Sequence, residues 1–211
     1  GKPMYCTYQD GTATPSTGVI KNTHGTFPLA WLNAVTPQQR ADVDTYLFVD
    51  DSRAVPSGFY EPGVVSDAAP VDGVVVRSNV PVEKTIDNAK QHLKNSIETK
   101  YNTVLRGGLV FSVESKALST SVETVSEVVV TLGRIDNGKA LPENYKVSDL
   151  TGARIVMSEV NLRKYSDEIA EHFYSARKAR DDHQDAVDAL SAFTDVITYD
   201  SSTNWPTNPV V

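Results

Sequence analysis

The segment spanning residues 158–194 constrains the fold most, because its apolar residues return every three or four positions and no Gly or Pro interrupts it. Leu162, Tyr165, Ile169, Phe173, Ala176, Ala179, His183, Val187, Leu190 and Phe193 fall on one side of a helix with 3.6 residues per turn. Roughly 37 residues at a rise of 1.5 Å make a rod of about 55 Å, longer than a compact small domain. Its apolar stripe needs a cover: a helical hairpin within the chain, a symmetry mate or a different protein. We read these ten residues as a subunit interface, and the small side chains of Ala176, Ala179, Ala186 and Ala189 allow a second helix to approach closely.

Upstream, Val82, Ile86, Ala89, Leu93, Ile97, Tyr101 and Val104 predict a second amphipathic helix over residues 82–106, able to cover part of the first. Gly107-Gly108 supplies its stop, and residues 109–113 read as a strand. Thr120-Ser121-Val122-Glu123 is a capping box opening a further helix with Val122, Val125, Val129 and Leu132 on one side. Asp136-Asn137-Gly138 is a turn, and residues 153–157 read as a strand leading into the long helix.

The first 80 residues are rich in Gly, Pro, Thr, Asp and Val, with short apolar runs between turn signals. Residues 4–8 alternate and stop at Gln9-Asp10-Gly11, with Gly18-Val19-Ile20 as the return strand of a hairpin. Thr36, Pro37 and Gln39 start a short helix ending near Asp44; residues 46–49 and 73–77 are strands. The expected class is therefore α+β: a β-rich unit over 1–80, a mainly helical unit with one long amphipathic helix over 81–200, and an extended tail over 201–211 with Trp205 as an anchor.

A net charge of -7 argues against nucleic acid or an anionic membrane as the main partner and in favour of another protein. No apolar run approaches the roughly 20 residues of a membrane span, and Gly1-Lys2-Pro3-Met4 does not read as a signal peptide. The expectation is a soluble protein made in a reducing cytoplasm, with Cys6, the single cysteine, as a small strand residue.

The common phosphate-loop, metalloprotease and nucleophile-elbow signatures do not occur, and His24, His92, His172 and His183 have no paired metal spacing. No catalytic residue, cofactor or metal is therefore expected. In Arg180-Asp181-Asp182-His183 the two acids diverge by about 100° on a helix, so they read as a solvated charge pair beside a histidine on the apolar stripe. Asp50-Asp51 reads as a turn rather than a metal site. Tyr5, Tyr8, Trp31, Phe59 and Tyr60 read as packing aromatics rather than a sugar-binding face. Nothing places Cys6 beside His24 as nucleophile and base.

From Val82 onward the order of features resembles a domain of unknown function found at the C-terminal end of bacteriophage tail-fibre and other tail proteins. The residues that carry it are the 82–106 helix, Gly107-Gly108-Leu109-Val110-Phe111, the acidic helix opening at Thr120, and Ser148-Asp149-Leu150-Thr151 before Tyr165, His172, Phe173, Ala176, Ala186 and Phe193. His24-Gly25-Thr26-Phe27-Pro28-Leu29-Ala30-Trp31 also looks like the opening of small tail proteins. The resemblance implies a structural component of a virion tail, fibre or baseplate, made in the host bacterium, with other tail proteins as partners and a homo-oligomer, a trimer in tail fibres, as its state. Two other readings stand beside it. One is an assembly chaperone absent from the particle; the other is a glycan-binding or glycan-cleaving tail protein, whose catalysis would need paired carboxylates in a cleft.

Overall fold

The structure, a computed structural model, describes residues 3–209; Gly1 and Lys2, and the Val210 and Val211 that end the expected tail, lie outside the described residues. The fold is α+β, with a β-rich N-terminal half followed by a helical region containing a long helix. It divides into two compact units after Lys84.

In the first unit, β1 (Met4–Gln9) turns through Asp10 and Gly11, both at positive φ (51° and 79°), which gives the two-residue turn whose twist suits a hairpin. The turn stands where the sequence puts it, but the return strand is β2 (Thr12–Ser16), with Gln9 opposite Thr12. A two-residue turn leaves no room for a later return, so β3 (Val19–Asn22) pairs instead with β4 (Gly25–Pro28). Helix α1 (Leu29–Ala34) was not expected; α2 (Pro37–Ala41) has the expected capping box, Thr36 Oγ1 accepting from the Gln39 N–H and Gln39 Oε1 from the Thr36 N–H. Strands β5 (Thr45–Asp50), β6 (Tyr60–Glu61), β7 (Ser66–Asp67), β8 (Val74–Ser78) and β9 (Val82–Glu83) complete the unit.

The main sheet has the order β2-β1-β5-β8-β7, with β5 and β8 parallel. Alternation along β1 sends Cys6 to one face, with Ala13, Phe48 and Val75, and Tyr5 to the other, with Ile20 and Leu32. The sheet curls until its edge strands meet: Asp67 Oδ2 on β7 accepts the Ala13 N–H of β2 at 2.6 Å, and the Arg77 guanidinium on β8 donates to the Ala13 carbonyl at 2.9 Å. Arg77 also grips Asp67 with two bonds, of 2.7 and 2.9 Å, and lies over the Phe48 ring. This fork satisfies backbone groups that the sheet ladder alone would leave unpaired at its edges.

In the second unit, α3 (Ile86–Arg106) begins at the Thr85 cap, four residues after the expected start, because Val82 and Glu83 are held in β9 against Tyr60 and Glu61. It stops where expected. Gly108 has φ 82°, and a Cβ there would stand 2.7 Å from the Leu118 carbonyl oxygen. Next come β10 (Leu109–Phe111), β11 (Lys116–Leu118), α4 (Val122–Asp136), β12 (Lys146–Ser148) and β13 (Arg154–Val156). The cap of α4 is Ser121, not Thr120. Thr120 is buried, its hydroxyl accepting from the Gly108 N–H and donating to the Leu105 carbonyl, so it closes the end of α3 instead.

The long helix, α5 (Glu159–Ala189), has 31 residues and is capped by Ser158. It ends earlier than the periodicity suggests, since Leu190 has extended backbone and a separate helix, α6 (Phe193–Thr198), follows. The turn lays α6 against α3 and buries Val196, which a straight continuation of the rod would carry away from that cover.

Candidate functional site

The ten stripe residues do not form one external face. Leu162, Tyr165 and Ile169 sit in a core cluster with Phe111, Leu118, Val128, Val147 and Met157, contributed by α4 and the two small hairpins. Ala176, Ala179, His183 and Val187 are buried on the part of α5 that runs antiparallel to α3, as fixed by Lys94 to Asp188 at one end and His172 to the Val104 carbonyl at the other. Phe173 and Leu190 are half-buried, and Phe193 lies on α6. Within one chain, most of this stripe is therefore covered by its own helices and hairpins.

The buried position in the fourth turn is His172 rather than Phe173. Spacings of three and four then alternate from Leu162 to Ala179, the regularity that would have selected it in the sequence. Its Nε2 is 3.0 Å from the Val104 carbonyl, which satisfies the ring in an apolar setting.

His183 lies on the buried stripe and organises the chain's end. Its Nε2 meets the Thr203 carbonyl at 2.9 Å, its Nδ1 meets the Tyr199 hydroxyl at 2.7 Å, and Trp205 stacks on the ring with centroids 5.4 Å apart. Because a carbonyl only accepts, Nε2 carries a proton. Asn208 then reaches back to the carbonyls of Val104 and Gly108, so the described part of the tail is docked rather than free. Asp181 and Asp182 point outward and pair with Arg177, Arg180 and Lys178, the solvated arrangement expected of them.

The other candidates resolve separately. Asp50 accepts from the Ser52 N–H at 3.0 Å, a local turn whose bonds hold the carboxyl below its ordinary range. Among the described residues, no group of three or more His, Cys, Asp or Glu side chains is placed to hold a metal ion. Tyr5 and Tyr8 belong to the two different packing clusters of the sheet, and Tyr5 donates to Asn33 Oδ1 beneath the Arg40 guanidinium; Trp31 packs on Phe27. Burial pushes the Cys6 thiol up to about 11, and His24 pairs with Asp44 instead.

What the sequence reading missed is the outer side of α4. Val125, Val128, Leu132 and Ile135 face the core, whereas Val122 and Val129, which the sequence puts on the same side as Val125 and Leu132, are exposed together with Val130. Beside them a groove of about 200 Å³ is lined by Val125, Val128, Val129, Ser166, Ile169, Ala170 and Phe173. The signal was present: α4 is apolar on more than one side, so two stripes overlap and the four-residue pattern first chosen mixes them.

No known family, curated protein or solved structure matches the chain. No helix among the described residues is long and apolar enough to cross a membrane.

Proposed function

We propose that this chain is a structural component of a tailed-phage virion, a tail-fibre or baseplate-associated protein that works by protein–protein assembly. The observation that carries the assembly part is the exposure of Val122, Val129 and Val130 on α4 with the groove beside Val129, on a unit that already has its own core cluster. The tail part is supported by the order of features from Val82 onward, which the resemblance to phage tail domains rests on. Docking of Tyr199, Thr203 and Trp205 on His183 holds that segment against α5, which suits a part kept in a fixed place. Mass spectrometry of purified, washed particles is expected to find the chain at a fixed copy number. Its absence from washed particles, with abundance in the infected cell, would contradict the structural role and favour an assembly chaperone.

A further inference from the structure

We infer that residues 199–208 act as a latch, a segment that closes over the α3/α5 pair and opens as one piece without unfolding the helices beneath it. Three features of those helices are explained by this segment. The first is Gly107, the C-cap of α3. Its backbone has φ -76° and ψ 0°, a conformation open to every residue, so no left-handed geometry calls for glycine there. Space does: a Cβ at this position would stand 2.6 Å from Cγ of Asn208, whose side chain lies across the helix end. The second is the pair of carbonyls beside it. Asn208 Nδ2 donates to Val104 at 2.8 Å and to Gly108 at 3.3 Å, serving acceptors that the end of a helix leaves open. The third is His183, only 5% exposed between Ala179 and Val187 on the buried stripe. A histidine there is costly unless its ring nitrogens are met, and the groups that meet them, the Tyr199 hydroxyl and the Thr203 carbonyl, both belong to the segment.

What holds the segment is nonetheless of a reversible kind. Beyond Thr198 the described chain has no helix or strand, and no residue from 199 to 208 is buried outright. Attachment comes from side-chain hydrogen bonds at His183 and at the end of α3, with the stack of Trp205 on the His183 ring between them. The helices beneath have their own ladders and the fully buried Ala89, Ile97, Ala176 and Val187. A segment with little buried apolar surface and an exposed backbone opens well before such a core does. Its two ends are coupled, because Pro206 stiffens the three-residue step from Trp205 to Asn208. Taking Asn208 off the end of α3 therefore draws Trp205 from the His183 ring. Opening leaves the helix pair intact and bares both His183 and the end of α3.

Nuclear magnetic resonance of the whole chain reads the latch at the Trp205 indole, whose N–H donates to the Ser201 carbonyl at 2.8 Å and whose signal is identified by its loss in Trp205→Phe. Gly107→Ala is expected to displace Asn208 and to abolish the nuclear Overhauser contact between the Trp205 and His183 rings. Exchange of the indole proton is expected to quicken at least about 10-fold, while the amides of Ile169 and Ala176 exchange as slowly as in the wild type. Asn208→Ala is expected to do the same, and combining the two changes is expected to add nothing, since each acts by taking Asn208 off the carbonyls of Val104 and Gly108. Effects that add in full overturn the proposal, because Gly107 then serves the helix end and not the latch. So does a Trp205 ring that stays on His183 in both variants, or a helix pair that loosens in step with the segment.

Discussion

Replacing Tyr165 with Ala is expected to remove about 3–5 kcal/mol of stability from the second unit, measured by denaturant unfolding. Tyr165 is fully buried at the point where α5 meets both small hairpins, and its ring meets Phe111 edge-on with centroids 5.7 Å apart. Its hydroxyl donates to the Ser119 carbonyl, just before the α4 cap. Truncation therefore opens a cavity and orphans an acceptor together. Tyr165→Phe separates the two effects: it keeps the packing and is expected to cost about 1–2 kcal/mol, the loss of one buried hydrogen bond. Tyr174→Ala, nine residues along the same helix but exposed, is expected to change monomer stability by less than about 0.5 kcal/mol. If all three changes had similarly small effects, the stripe would not be the core of this unit.

Asp67→Ala is expected to cost about 3 kcal/mol and to loosen the first unit at the junction of β2 and β7. The Asp67 side chain is only 6% exposed, and its removal leaves the Arg77 guanidinium and the Ala13 N–H without their shared acceptor. Hydrogen exchange is expected to quicken first along β2 and β7, the edges that the fork joins. The same contact gives a pH dependence. Bonds from Arg77 hold the Asp67 carboxyl below its ordinary value of 3.8, so the folded chain binds this proton less readily than the unfolded one. The stabilisation is present above pH 3.8 and is lost as pH falls through the lower, folded value. Asp67→Ala is therefore expected to flatten the acid limb of the stability curve; a limb as steep as in the wild type would contradict the assignment.

Much of the architecture was legible because it follows from local rules. The Thr36 box, the Asp10-Gly11 turn, the Gly107-Gly108 stop and the long period of α5 each fix backbone geometry within a few residues. What was not legible depends on partners distant in sequence. The stop of α5 at Ala189 is not signalled by Gly or Pro; it follows from the burial of Val196 once α6 folds back along α3. Thr120 looks like a cap in the sequence, yet it serves α3 because the chain brings it to Gly108 and Leu105. The Asp67, Arg77 and Ala13 fork joins residues up to 64 positions apart, and no short pattern announces it.

What covers the α5 stripe was not legible for a related reason. A long apolar stripe signals that a cover exists but does not say whether the cover is another chain. In α5 the cover is α3, α4 and the small hairpins, while on α4, where two stripes overlap in a run of valines, Val122, Val129 and Val130 stay exposed. Periodicity identified the stripe correctly as something that must be buried. Only the fold assigns it to the inside.

Hydrogen exchange on the chain, at a concentration where it is a monomer, tests that assignment most directly. The amides of Tyr165, Ile169 and Ala176 are predicted to remain among the slowest to exchange, opening only with the whole unit, because their cover is intramolecular. If their protection instead collapses on dissociation to the level of the exposed ends of α4, the long helix is a seam between chains after all.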